Sequence, residues 1–341
     1  MAASSPLGLL RPKPFRGDVI AAGVVVLTTL VWLVRVRFGA AWGDGAQLAW
    51  AAVPCAFVTL VALLAEPEGE APRAYQSVLY IAAVALFLAV VVSLGDVLGV
   101  GVSVRSAVAR ATAIEAGLVA LFALGFAIGR NSAACTLLGS LFGGAAVLAL
   151  IDWAFSPGVG ALRWELVGLM VVYGFGAIGQ RDRHLRHGVA LIDAAGTAVL
   201  LIGLTFLLST LVSRAADGLL GGGDFGTAPA YGATLSTSVS DHSVGWGWEL
   251  LIVAVGFGLI AYSSVDRQPG PAYLGVLNLI VFALITSFGV SAHGATLVGW
   301  PIALAIAALA LLAIGLRPTT PAPPPPDVDA PEPPPLPLRG V

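Results

Sequence analysis

Glu115 and Asp193 are carboxylates set inside long apolar runs, and any chemistry in this chain would start with them. A charge carried into hydrocarbon is costly, so such a group is a candidate for the path of a proton, a cation or a cationic solute. At a rise of about 1.5 Å per residue, Glu115 is predicted about 10 Å in from one end of its run and Asp193 about 8 Å in from an end of its own. Arg110 precedes Glu115 by five residues, a rotation of about 140° around a helix. The two do not share a face, so Glu115 needs another partner or a wet cavity. Asn278 is a polar residue at depth in a further run; interhelical hydrogen bonding is the commoner use of such a side chain, ligand contact the rarer one. Glu165 and Glu249 are shallower, each beside a tryptophan, and read as weaker candidates at headgroup level.

Outside the apolar runs the chemistry thins. Asp241 and His242 are adjacent in a Gly/Ser/Thr-rich stretch. A lipid-modifying site would need several convergent polar groups, and this is a single pair. His184 and His187 stand three apart beside Asp182 in "RDRHLRH"; on one helical turn they could hold a metal, but they read more simply as part of a basic anchor, and no metal is expected. Cys55 and Cys135 lie within apolar runs, where free cysteine acts as a small hydrophobe, so neither a disulfide nor a zinc site is expected. There is no Walker loop, GxSxG, HExxH, CxxC or dinucleotide fingerprint, so no cofactor is expected and the reading leans away from an enzyme.

The elements that must position these groups are membrane helices. The chain of 341 residues is 58% hydrophobic and 11% charged, with mean hydropathy +0.93, whereas soluble domains carry about 25% charged residues. Its apolar surface must face lipid, and the fold class is an all-α polytopic bundle. A net charge of −2 gives no sign of a nucleic-acid partner. Ten runs approach the roughly 20 apolar residues a bilayer requires: 18–35, 46–65, 75–95, 107–129, 132–152, 163–180, 188–212, 248–265, 271–290 and 297–316. Residues 1–17 form an N-terminal segment, 18–316 the bundle with an outer loop at 213–247, and 317–341 a tail. The first run is too long and lacks the small-x-small site of a cleaved signal, so it reads as an uncleaved helix. With the N-terminus inside, inner segments carry eleven Lys and Arg against six outside, which predicts both termini in the cytosol. All basic residues but Lys13 are arginine, a bias suited to a GC-rich bacterial genome and hence to a cytoplasmic membrane.

Two stretches repeat. "RWELVGLMVVYGFGAIGQRDR" (163–183) and "GWELLIVAVGFGLIAYSSVDR" (247–267) share Trp-Glu-Leu at the start and Asp-Arg at the end, 84 residues apart. From Trp to Arg is 19 steps, about 28 Å, close to one hydrocarbon thickness. Both should cross in the same direction, and "IEAGLVALFALGFAIGRN" (114–131) is a fainter third copy. Each is followed by a returning run, which predicts tandem two-helix hairpins in parallel orientation. Gly139, Gly143 and Gly144, and the Gly125-to-Gly129 spacing, offer faces for close helix approach. Pro54 should kink the second helix.

The loop "EPEGEAPR" (66–73) reads as a solvated turn. The tail, "PTTPAPPPPDVDAPEPPPLPLRGV", cannot bury a core and should be extended and disordered; "PPLPLR" matches a segment that aromatic grooves bind, which makes a protein partner of the tail conceivable. Ten helices with both termini inside resemble the layout of the drug/metabolite transporter superfamily, whose members have two five-helix halves in inverted orientation. The repeat here is parallel and two helices long. Two functions follow from the residues. A secondary transporter for a small solute or proton predicts that Glu115 and Asp193 share a cavity near mid-membrane. A non-catalytic scaffold with a cell-envelope or cytosolic partner predicts a packed bundle without one. In both, the bilayer itself is a partner.

Overall fold

The computed structural model describes residues 17–39, 41–69, 72–100, 105–220 and 245–287. Among them are nine helices and no strand: α1 Gly17–Phe38, α2 Asp44–Leu64, α3 Ala74–Val97, α4 Arg105–Arg130, α5 Ala133–Phe155, α6 Val159–Arg181, α7 Leu185–Leu220, α8 Trp246–Asp266 and α9 Pro269–Ser287. Each contains an apolar span of 18 to 25 residues, about 27–38 Å at the helical rise. Helices are required there because hydrocarbon offers backbone N–H and C=O groups no other partner. The protein is an integral membrane protein with multiple crossings. These helices match the first nine predicted runs. The tenth run (297–316), the tail, the N-terminal segment 1–16 and residues 221–244 of the outer loop, with Asp241 and His242, lie outside the described residues.

Four consecutive pairs form hairpins, α2/α3, α4/α5, α6/α7 and α8/α9, and each pair packs closely along its length. The turns are short where the sequence allows a sharp reversal. Asn131 takes a left-handed conformation (φ 54°) between α4 and α5, which asparagine tolerates better than most residues. Ser132 then caps α5 by accepting from the Cys135 N–H. Arg267 (φ 54°) ends α8, and Pro269 opens α9 at the first helical position, where its missing N–H costs nothing.

The hairpins stack in the same orientation. The helices α1, α3, α5, α7 and α9 run parallel and pack in sequence as one row. In the second row α2, α4, α6 and α8 run the other way, each against its own hairpin partner, and scarcely touch one another. This is the predicted parallel tandem of hairpins. One end of the stack, termed the basic face, carries the turns with Arg73, Arg130, Arg181, Arg183, Arg186 and Arg267. The other, the tryptophan face, carries Trp42, Trp50, Trp153, Trp164, Trp246 and Trp248, the ring type that settles at a membrane–water boundary.

The core follows the rows. Leu79, Tyr80 and Leu86 of α3, Val119 of α4, Ile202 and Phe206 of α7, and Phe282 and Ile285 of α9 are almost fully enclosed. Phe87 of α3 stacks on Phe122 of α4 at 4.1 Å between centroids. Of the glycines expected to let helices approach, Gly139 lies under Leu124 and the Ala120 carbonyl, and Gly144 makes room for the Tyr173 hydroxyl. Gly125 and Gly129 instead have nothing within 4 Å. Their spacing marks no contact, because α4 turns that face away from α5.

Candidate functional site

Glu115 sits ten residues into α4, about 15 Å from its start, because the helix begins before the apolar run; it is level with the last turn of α3. Its carboxylate lies over Gly95 of α3: a Cβ there would fall 2.7 Å from Oε1. Beside it Arg35 of α1 donates to Asp96 (2.6 Å) and to Ser93 Oγ (2.5 Å). Glu115 therefore belongs to a polar knot that joins α1, α3 and α4 toward the tryptophan face.

Asp193 sits eight residues into α7, toward the basic face. Its carboxylate lies against Gly270 in the first turn of α9, where a Cβ would fall 2.8 Å from Oδ2. A helix N-terminus favours negative charge, but Pro269 and Pro271 leave only Gly270 and Ala272 as backbone donors in that turn. Asp193 Oδ1 is buried without a hydrogen-bond partner among the described residues.

Asn278 of α9 is fully buried and donates through Nδ2 to the Gly196 carbonyl of α7 (3.3 Å) and to Leu274 O (2.9 Å). Both neighbours are acceptors, so the amide nitrogen must face them, and Oδ1 is left without a partner among the described residues. This side chain links α7 to α9. Glu165 is half-buried in α6 and Glu249 is buried in the first turn of α8, the end of a helix that suits a negative charge.

Glu115 and Asp193 are thus held toward opposite faces, each seated on a glycine of a neighbouring helix. Asp193 and Asn278 share the α7–α9 interface; Glu115 does not reach it.

The densest polar cluster lies in the loop that reads as a solvated turn. Glu68 is not solvated: its side chain has 0% exposure. Ser77 and Ser132 donate to Oε1, both at 3.0 Å, and Arg186 donates to Oε2 at 2.5 Å. Around it Glu68 N–H donates to Arg130 O, Asn131 Nδ2 to Glu68 O, Arg130 to Ala65 O, and Gln76 and Tyr80 to Glu66 O. Asn131 Oδ1 then accepts from His187 Nε2 (2.9 Å), whose Nδ1 meets the Thr136 hydroxyl at 2.5 Å. One loop so locks the basic ends of three hairpins. A carboxylate so placed must be paired to be tolerated at all, and its partner comes from a helix 118 residues along the chain.

The repeated helices α6 and α8 face each other. Their tryptophans, Trp164 and Trp248, touch at 5.1 Å between centroids on one face. Arg181 pairs with Asp266 at 3.3 Å on the other. Arg163 lies over the Phe206 ring, 3.4 Å from its centroid, and donates to Thr205 Oγ1. Between these ties the helices part around an apolar cleft of about 630 Å³, floored by Ile192, Ala195 and Gly196 of α7 and opening sideways.

No group of three or more His, Cys, Asp or Glu side chains stands ready to hold a metal among the described residues. Comparison with protein-family models, curated proteins and solved structures finds no match to this chain.

Proposed function

We propose that this protein is a non-catalytic membrane scaffold, built as a stack of helical hairpins in a bacterial cytoplasmic membrane with the basic face toward the cytosol. The observation that carries this reading is the placement of Glu115 and Asp193. They lie toward opposite faces, each against a glycine of an adjacent helix, whereas a transport path through both would need a common cavity. The large cleft between α6 and α8 is apolar and opens laterally, which suits hydrocarbon or another apolar helix rather than a polar solute. Asn278, at depth, and Arg35, near the tryptophan face, are both spent on links between helices.

The test is proton permeability in liposomes that enclose a pH-sensitive dye. The scaffold reading expects an imposed gradient to decay as in protein-free liposomes, with no change in Glu115→Gln or Asp193→Asn. A gradient dissipated by the unaltered chain and preserved by either variant would overturn it in favour of a secondary transporter.

A further inference from the structure

We infer that the basic face carries a binding site for a phosphate group, that of an anionic lipid or of a soluble phosphate compound, between the turn of the α6/α7 hairpin and the end of α4. The inference stands apart from the scaffold reading and survives its failure. Two adjoining cavities define the site. A polar recess of about 570 Å³ is lined by Asn131, Arg181, Arg183, His184, Arg186 and His187. A second cleft of about 310 Å³ shares Asn131, His184 and His187 with it and continues between α4 and α7 along Leu124, Ala127, Ile128 and Leu191. Leu124 and Leu191 each lie six residues from the helix end at this face, so the apolar part reaches about 9 Å inward. A charged recess that opens into an apolar slot at membrane level has the two-part chemistry of a phospholipid.

The charges need counting, because acids lie close by. Glu68 pairs with Arg186 and Asp266 with Arg181, and in both pairs the cation faces outward. Arg186 is 25% exposed over a fully buried Glu68, and Arg181 is 54% exposed over a 10% exposed Asp266. Asp182 is the remaining carboxylate of the recess lining, against three guanidinium groups, with the His184 imidazole as a further hydrogen-bonding group. Each guanidinium has five N–H donors. Arg181 spends one on Asp266, and Arg186 spends its described bonds on Glu68 and Gly69 O, so donors remain on both. Arg183 is exposed on the turn itself. Asn131 and His187, bonded to each other, form a rigid wall. Such a fork of guanidinium donors matches phosphate oxygens, and basic pockets between membrane helices suit anionic headgroups.

The source is either a lipid of the adjacent leaflet or a soluble phosphate compound. To test the site, the full chain is stripped of lipid in detergent and titrated with phosphatidylglycerol or phosphatidylcholine, with bound lipid counted by native mass spectrometry. Phosphatidylglycerol should bind in preference to phosphatidylcholine. Arg183→Gln should weaken it about fivefold, and His184→Ala should weaken it too. Arg37→Gln, an exposed arginine on the tryptophan face, should not. Retention of that binding in millimolar inorganic phosphate assigns the site to lipid. Displacement by phosphate, with the same dependence on Arg183, assigns it to a soluble phosphate compound. Equal binding of the two lipids, or binding indifferent to Arg183 and His184, would overturn the site.

Discussion

Glu68 shows how a single side chain holds several elements. Two serines and an arginine converge on its carboxylate from α3, α5 and α7. Removing one member of a buried pair leaves the other charge uncompensated, at a cost of about 3–5 kcal/mol. Glu68→Ala and Arg186→Ala should therefore each lower the unfolding midpoint in detergent sharply. Glu68→Ala with Arg186→Ala should cost far less than the sum of the two, since no orphan charge remains. Simple additivity in that cycle would mean that the two side chains do not act as a pair. Little of this was legible in the sequence. The loop has Pro, Gly and three glutamates within "EPEGEAPR", a composition that reads as exposed, and the group that buries Glu68 is supplied by a distant helix. Asn278 was more readable, because a lone amide at depth has few uses apart from linking helices. Asp193 was legible as a candidate, but its seat at the start of α9 was not.

At the scale of elements, apolar runs revealed the nine described helices, while their ends were less visible. α6 begins at Val159, four residues before its predicted run, and α4 at Arg105, two before its own, because a helix continues into the headgroup region where hydropathy no longer reports it. The repeat at 163–183 and 247–267 was legible as a likeness; that the two copies meet through Trp164–Trp248 and Arg181–Asp266 required the fold. Glycine spacing misled at Gly125 and Gly129 and missed a close approach of helix to helix backbone, in the fourth hairpin. A Cβ at Gly275 of α9 would lie 2.6 Å from the Gly256 carbonyl and 2.8 Å from Ile260. The obstacle is backbone, which cannot swing aside, so Gly275→Leu must push α8 and α9 apart. Overpacking of this kind costs about 1–3 kcal/mol. Gly258→Leu, on α8 but facing open space, should leave thermal stability nearly unchanged. If the two variants melt alike, close packing of α8 on α9 does not hold this hairpin together.

At the scale of the whole molecule, the two faces of the stack differ in kind. One gathers arginines in its turns, and the other gathers six of the tryptophans. Two arginines of the tryptophan face have local reasons: Arg35 ties α1 to Asp96 and Ser93 of α3, and Arg163 covers Phe206 and binds Thr205; Arg37 is exposed there. The positive-inside rule weighs every lysine and arginine in the short segments; in the sequence count these are eleven against six, and the arginines of the basic face gather where Glu68 and Arg186 lock three hairpins. The same asymmetry would place the proposed phosphate site against the cytosolic leaflet, whose anionic lipids attract basic segments. Orientation is therefore the property on which both proposals meet, and it can be read directly. Cys55 and Cys135 are free and buried, so they should stay silent toward a membrane-impermeant maleimide. Ser156→Cys, in the exposed α5–α6 turn of the tryptophan face, should label in intact spheroplasts. Asp182→Cys, in the exposed α6–α7 turn of the basic face, should label only after permeabilisation. The reverse pattern would turn the stack over, placing the arginine recess on the outer surface and removing the cytosolic leaflet as the source of its ligand.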